Sequence, residues 1–594
     1  MTAYVLAALP AEATAPPMRV AMPLDGSGAQ AGEARRVSEE QLPAFVTAVQ
    51  TADPSARWIW DDTRNWYPQL LAAGVEVRSC HDLGLAAAIV AGSVPSAPST
   101  RLPARRDPAM PVREDHQDSL FAAPERTPPP TLELLAGEYA AQLAAAASLT
   151  PDPAAARLRL LMSLDSAGAL IAAEMRHDGL PWNRAEHERL LTEALGPRVP
   201  AGTRPARLTD LTEVLQDLLD APRLNIDSQP DLLRALRQAG IDTPSTRKWD
   251  LVEIKHPAIE PLMRYKKLQR LNTANGWAWL DAWVKGDRFH PEYVVAGVVT
   301  GRWASHGGGA MQIPHDVRSA VRADPGHVLV VADASQLEPR ILAAISADRS
   351  LAQAARGTDL YQAIADLAFE GDRDTAKIAM LGAMYGGTTG VSAAMAPRLA
   401  SAFPRATALL EEAARTGERG GTVSTWLGRR SPAASWAGQG PSGPDGGGSG
   451  DEAGETSTGY SSGRGERLGG RDRDGRDGQQ GAQPGGQPSA AAREGQARAY
   501  GRFTRNFVVQ GTAAEWAECW MAQLRGQLRS LAPGSRQVFF LHDEIMVHAP
   551  EPEAQAVQAA LIASAEAAAR MLFGDIPVDF PVSVGVATDY ASAK

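Results

Sequence analysis

Two short segments place acids where they could do metal chemistry. In HVLVVADASQLEPRIL (residues 327–342) an apolar run delivers Asp333 at its end; a polar turn follows, and Glu338 and Arg340 enter a predicted helix. In QVFFLHDEIMVHAP (residues 537–550) apolar runs flank His542-Asp543-Glu544, the pattern of a hairpin with an acidic tip. Two strand-borne carboxylates can hold two divalent ions about 3.5–4 Å apart. Magnesium takes oxygen ligands, usually a few carboxylates completed by substrate phosphates. One ion would lower the pKa of an attacking hydroxyl and the other would stabilise a pyrophosphate leaving group. Each segment alone has a plainer reading, since an Asp after a strand commonly caps a helix and an HDE tip is commonly a solvated turn. The metal reading therefore rests on the companions.

The first companion is basic. In RDTAKIAMLGAMYG (residues 373–386), Arg373, Lys377, Leu381 and Tyr385 recur every four residues along one drifting helical face. Cations four apart repel unless an anion bridges them, and a triphosphate is an anion that Arg and Lys bind well. The aromatic two turns on can stack against a base. A surface helix with solvated charges fits this segment alone equally well. A second basic stretch, residues 264–302, holds Arg264, Lys266, Lys267, Arg270, Lys285, Arg288 and Arg302 against Asp281, Asp287 and Glu292. That local surplus suits phosphate contacts.

The elements that would position these residues follow from periodicity. Helical spacing covers residues 155–180, ending at Gly179, then 207–220, 229–240 and 256–284, the last as one or two helices. The period then changes. HPEYVVAGVV, HVLVVADA, RQVFFLHDEIMVHAP and VDFPVSVGVAT are rich in Val, Ile and Phe and read as strands. A helical block followed by strands, helices and strands implies an α+β core with helical arms. Two segments lack the apolar content to pack. Residues 93–130 are proline-rich and read as an extended linker; residues 438–494 are dense in Gly, Ser, Asp, Arg and Gln and read as disordered.

With 594 residues, three or four domains are expected. A net charge of −10 argues against a protein that is basic all over, but a local basic groove suffices for nucleic acid. Cys80 and Cys519 are too few for a disulfide framework or a Cys-based zinc site, which favours ordinary thiols in a reducing cytoplasm. Neither a signal peptide nor a run of about 18 apolar residues is read, so no membrane partner is expected.

Taken together, the segments resemble family A DNA polymerases, the DNA polymerase I type, over roughly residues 160–594. HPEYVVAGVVTGRWAS resembles the stretch before the palm, VVADASQLEPR motif A, and RDTAKIAMLGAMYGG motif B. STWLGRR and RNFVVQGTAAE resemble later fingers and palm segments. FLHDEIMVHAP resembles motif C, and PVSVGVATDYASAK the closing strand and terminus. The resemblance implies a right-hand polymerase, with an antiparallel palm sheet and helical fingers and thumb, after a small α/β exonuclease-like domain. The boundaries expected are 1–92 for the first part of that domain, 93–130 linker, 131–154 its end, 155–290 thumb, 291–350 palm, 351–437 fingers, 438–494 insertion and 495–594 the end of the fingers and the palm.

The resemblance also implies roles. Asp333 and Asp543 would bind two magnesium ions. Arg373 and Lys377 would grip the incoming deoxynucleoside triphosphate, with Leu381, Tyr385 and Gln336 beside it, and Glu338 would act as the steric gate against a 2′-hydroxyl. Arg302, Asn506 and Gln510 would touch the minor-groove side of the primer–template, His542 would lie near the primer terminus, and Arg264 and Lys267 would track the duplex backbone. The enzyme would be a cytoplasmic, monomeric DNA-directed DNA polymerase of repair or gap filling.

Departures from the family pattern are informative. Leu381 stands where the family has an aromatic, which predicts weaker stacking on the nucleotide. Ala334 and Pro339 replace Tyr and Leu in motif A, and Pro339 is tolerable only near a helix start. In the N-terminal part, proofreading chemistry needs four acids opening with Asp-x-Glu on a first strand, and residues 1–40 contain no such pair. Residues 58–90 resemble the middle of an exonuclease domain, with Asp82 as one candidate acid. The expected Tyr-x-x-x-Asp fails, because Tyr139 is followed four residues on by Leu143. A proofreading-dead remnant is predicted. Within the linker, QDSLF (Gln117 to Phe121) resembles the bacterial sliding-clamp-binding peptide, with Leu120 and Phe121 filling an apolar pocket and Gln117 anchoring its edge.

Overall fold

The computed structural model describes residues 2–9, 17–102, 129–200, 202–308, 313–387, 390–434 and 490–594. The N-terminal unit is built on β1 (Ala3–Ala8), β2 (Met18–Leu24), β3 (Arg35–Ser38), α1 (Leu42–Ala52), β4 (Arg57–Trp60), α2 (Thr63–Ala72), β5 (Cys80–Asp82), α3 (Leu83–Ser93) and α4 (Leu132–Ala147). Its sheet runs β3-β2-β1-β4-β5, antiparallel from β3 to β1 and parallel from β1 to β5. Both faces are covered, as parallel pairing requires: Trp58, Trp60, Tyr67 and Leu70 fill one side and Val5, Ile59, Leu135 and Tyr139 the other.

Next comes α5 (Asp152–Asp178), a 27-residue helix buried from several sides. It stops at Gly179, where φ is +69° and a Cβ would come within 2.9 Å of the His290 ring, so only glycine fits. A helical arm follows: β6 (Leu180–Pro181), α6 (Arg184–Leu195), α7 (Ala206–Leu218), α8 (Gln229–Gln238), α9 (Lys248–Leu251), α10 (Ile259–Asn275) and α11 (Trp277–Trp283). Gly276 divides the apolar stretch 256–284 into two helices. Short strand β8 (Arg288–Phe289) pairs with β6 on one side and with β7 (Val284–Lys285) on the other. The strand expected over HPEYVVAGVV is largely absent. Only β9 (Glu292–Val294) forms, pairing with β10 (Ala304–His306), because the chain turns at Ala296 with φ +52°.

The central sheet comprises β11 (His327–Ala334), β12 (Arg536–Leu541), β13 (Glu544–Pro550) and β14 (Val582–Ala587) in the antiparallel order β12-β13-β11-β14. Between β11 and β12 lie α12 (Leu337–Ser346), α13 (Arg349–Ala354), α14 (Leu360–Ala368), α15 (Arg373–Tyr385), α16 (Gly390–Ala402), α17 (Pro404–Glu418) and α18 (Ala490–Leu531); α19 (Ala554–Phe573) precedes β14. Residues 490–494, expected within the disordered insertion, belong to the first turns of α18, while 435–489 lie outside the described residues. Helix α19 is long and apolar enough in composition to cross a membrane, but it buries Val557, Leu561, Ala565 and Leu572 in the main core.

One buried knot ties the N-terminal unit to α18. The Arg525 guanidinium donates to Glu174 of α5 (2.8 and 2.5 Å), to the Val77 carbonyl (2.5 Å) and to the Arg78 carbonyl (3.1 Å), and Tyr67 donates its hydroxyl to the same Glu174. Breaking such a pair from one side would leave an uncompensated buried charge.

Candidate active site

Asp333 sits one residue before the end of the central strand β11, in register with Glu544 on β13 and Ser583 on β14. Leu541 pairs with Glu544, so His542 and Asp543 form a two-residue hairpin loop, with His542 at φ +58° and exposed. A non-glycine residue takes that conformation at a cost on the order of 1–2 kcal/mol. The Ala334 amide donates to the Asp543 carbonyl at 3.0 Å, pinning the tip beside the end of β11. The acids 210 positions apart in the chain therefore share one sheet edge. Burial first, and then the charge of Asp333, push the Asp543 carboxyl up to about 7. Burial also raises Asp333, with Lys594 opposing and Glu544 adding to the rise. The Glu544 side chain is 2% exposed and accepts from the Tyr590 hydroxyl.

This donor set fits a divalent cation. It is all carboxylate oxygen, the acids repel one another, and a positive group, the Lys594 ammonium, already lies beside two of them. Among the described residues no three of His, Cys, Asp and Glu converge into a complete cage. A magnesium site completed by phosphates and water does not need one.

The turn after β11 is fixed by Arg340, which the sequence places in the following helix without indicating its role. Arg340 is fully buried and donates to the carbonyls of Ser335, Ala355, Asp579, Gly357 and Thr358 at 2.8–3.1 Å. No local signal foretells this, because four of the five carbonyls lie 15 or more positions away. Gln336 adopts φ +55° before α12, and Pro339 falls in the first turn, where its missing N–H is harmless. The Gln336 carboxamide donates to Asp359 (2.9 Å) and accepts from the Leu360 amide (2.7 Å). Asp359, also missed, then accepts from Arg373 Nε at 2.8 Å. Its signal was its place as the N-cap of α14. A continuous chain of contacts thus runs from the turn after Asp333 to the first residue of α15.

Along α15, Lys377 is half-buried with no ion-pair partner among the described residues, and Leu381 packs on the main core. Tyr385 donates to Glu338 Oε2 and Arg302 donates to Glu338 Oε1, both at 2.5 Å, and the Gln510 side chain of α18 lies near the Tyr385 hydroxyl. Asn506, one turn before Gln510, has a buried carboxamide oxygen without a hydrogen-bond partner among the described residues. Of the residues predicted to surround the nascent pair, Arg302 and Tyr385 therefore meet at Glu338, with Gln510 near Tyr385.

Arg302 is delivered by a crowded loop. A Cβ at Gly301 (φ +88°) would lie 2.5 Å from Arg429 Nε. Arg429 itself pairs with buried Asp165 at 2.7 and 2.9 Å. Glu518 accepts from the Trp303 indole at 2.8 Å, and Glu515 accepts from Thr425 and the Leu427 amide. Burial, then the charge of Asp165, hold Glu518 well above the usual carboxylate range. Burial pushes Glu515 up to about 7. Such a cluster contributes position more than stability.

Elsewhere the outcome differs from expectation. Of the seven cations in 264–302, Lys266 is held by Thr246, Lys267 by Asp316 (2.9 Å), Lys285 by the Asp281 carbonyl, Arg288 by Asp324 and Arg302 by Glu338. The basic surplus is thus smaller than the composition implied, because neighbouring acids outside the segment take up its charge. Arg264 is exposed. In the N-terminal unit, β1 carries no acid. Asp82 is fully buried and spends both oxygens on the fold, accepting from the Thr63 amide and hydroxyl (2.8 Å each) and the Leu85 amide (3.0 Å). Tyr139 packs on His81 and Leu143 is half-buried in an apolar cluster. Gln117, Leu120 and Phe121 lie outside the described residues.

The model of DNA polymerase family A matches residues 205–592, and the chain belongs to that family. The thermostable DNA polymerase I of Thermus aquaticus is 24% identical over 473 residues, 70% of this chain and 49% of the relative. The DNA polymerase of Mycobacterium phage D29 is 31% identical over 195 residues, 29% of this chain and 32% of the relative. The chain spans about half the length of the thermostable relatives it matches. Among solved structures, the polymerase domain of Pol1 from M. smegmatis, in complex with DNA primer-template and dNTP, superposes with a TM-score of 0.64 at 19% identity, covering 100% of this chain and 96% of that one. That likeness establishes the fold. Polymerases of this family use divalent metal ions.

Proposed function

We propose that the protein is a template-directed DNA polymerase that extends a primer 3′ end with deoxynucleoside triphosphates. The reading is carried by the meeting of Asp333 and Asp543 at one sheet edge, linked through Gln336 and Asp359 to Arg373 on the fingers helix. Asp333 and Asp543 hold two magnesium ions. When bound, those ions supply Lewis acidity to the attacking hydroxyl and the departing phosphate. Arg373 and Lys377 orient the triphosphate, and Arg373 exchanges Asp359 for phosphate oxygens. Gln336 keeps Asp359 in place, and Glu338 blocks a 2′-hydroxyl while bridging Arg302 and Tyr385. Tyr385 stacks by the template base, Leu381 offers an aliphatic face to the nucleotide, and Arg302, Asn506, Gln510 and His542 line the primer side. Arg264 and Lys267 contact the duplex backbone, the latter after release from Asp316. Most of the rate enhancement is positioning and electrostatics.

The N-terminal unit lacks proofreading, a reading supported by the structural use of Asp82. Work in repair or gap filling in the cytoplasm as a monomer, tethered to the sliding clamp through Gln117, Leu120 and Phe121, completes the proposal. Primer extension with magnesium is the test. The native chain extends a primer and Asp543→Ala does not. A folded native chain that fails to extend would leave a polymerase-shaped DNA-binding module instead.

A further inference from the structure

The Lys594 ammonium lies 3.5 Å from Asp333 Oδ2 and in direct contact with Glu544 Oε2. It is delivered there by a built segment. Tyr590, fully buried, donates to the other oxygen of Glu544, and Arg318 stacks on its ring at 4.6 Å. The Tyr590 amide donates to the Val321 carbonyl (3.0 Å), and the Ala593 amide to the Asp589 carbonyl (3.2 Å). Ala593 sits so close over β14 that a Cβ on Gly585 would collide with its carbonyl. The lysine side chain itself is 38% exposed, so its charge has a way out to solvent.

We infer that Lys594 is a resident counter-cation of the polymerase site: its ammonium neutralises Asp333 and Glu544 until a divalent metal arrives, and the metal must displace it. The inference rests on the proposed metal role of Asp333. Two carboxylates on paired strands, one of them almost fully buried, are unfavourable without a positive partner. A flexible, strongly hydrated ammonium is suited to leave, where a forked guanidinium would hold more firmly. The residue therefore stabilises the metal-free palm and weakens metal binding at the same position. When displaced, the same charge is set free at the edge of the site.

Manganese binding by the full chain, without DNA or nucleotide, tests this directly, read by the electron paramagnetic resonance of free Mn²⁺. Lys594→Met should bind the ion roughly tenfold more tightly than the native chain, since a unit charge a few Å away is removed. Lys594→Arg should bind no more tightly than native. Lys594→Gln, which keeps a polar head group, should follow Met and guards against a packing artefact. The metal-free Met variant should also lose thermal stability, and saturating Mn²⁺ should restore it. Equal or weaker Mn²⁺ binding by both neutral variants, with native primer extension intact, would overturn the inference alone. No Mn²⁺ binding in any form, with no extension, would overturn it together with the metal reading.

Discussion

The palm and the N-terminal unit both carry buried or half-buried aspartates at strand ends, and they use them in opposite ways. Asp82 ends β5 and is saturated by three donors from Thr63 and Leu85. Asp543 sits at a strand end too, yet its carboxylate is stabilised by little more than its own amide and the distant charge of Arg302, against burial and the repulsion of Asp333. An acid whose lone pairs are consumed by the fold builds structure. An acid the fold leaves under-served suits an external cation, the role proposed for Asp543. On the proposed function, the number of donors left over for each carboxylate separates the helix cap Asp82 from the metal-binding role of Asp543.

The largest effect should come from breaking the palm side. Asp333→Ala or Asp543→Ala should lower primer extension by at least about 10³-fold, roughly 4 kcal/mol in the barrier, while the metal-free melting temperature holds or rises. A fall in melting temperature as large as that of Asp82→Ala would erase the contrast. The mirror experiment is Asp82→Ala, which strands buried donors and removes a cap. It should cost about 2–4 kcal/mol in denaturant unfolding and leave kcat of extension unchanged.

Acidity should separate the regions next. Burial lowers buried His81 to about 4, so between about 6.5 and 4 the unfolded chain binds more protons there than the folded one. The N-terminal unit should lose stability as pH falls through that window, by up to about 3 kcal/mol. Asp543, raised to about 7, works the other way: the folded state binds the extra proton, and the metal-free palm should lose stability as pH rises from about 4 to 7. Hydrogen exchange at pH 5 and 7.5 reads both, and parallel slopes in the two regions would refute the assignment. The smallest effect sharpens the fingers side. Leu381→Phe adds a ring at the nucleotide face and should lower the nucleotide KM a few-fold, about 1 kcal/mol, in steady-state kinetics.

Much of this was legible in the sequence where the signal is local. The Val-rich runs gave β11 and the β12–β13 hairpin, and the four-residue spacing from Arg373 to Tyr385 gave one helix. What remained hidden depends on distant partners. Nothing local says that Arg340 will meet five carbonyls, that Asp359 will hold Arg373, or that Glu518 will face Asp165 across 353 positions of sequence. HPEYVVAGVV misled because Val enrichment reports burial and branching, while a left-handed residue at Ala296 decides the path. The basic count over 264–302 misled because charge was tallied without its partners.

The Arg525 knot has a consequence for any attempt to cut the chain. Backbone carbonyls of the N-terminal unit, at Val77 and Arg78, hold a guanidinium on α18, the longest helix among the described residues. Excision would strip those two carbonyls and the Tyr67 hydroxyl from the guanidinium and leave it with Glu174 of α5, so the N-terminal unit braces α18 whatever chemistry it performs.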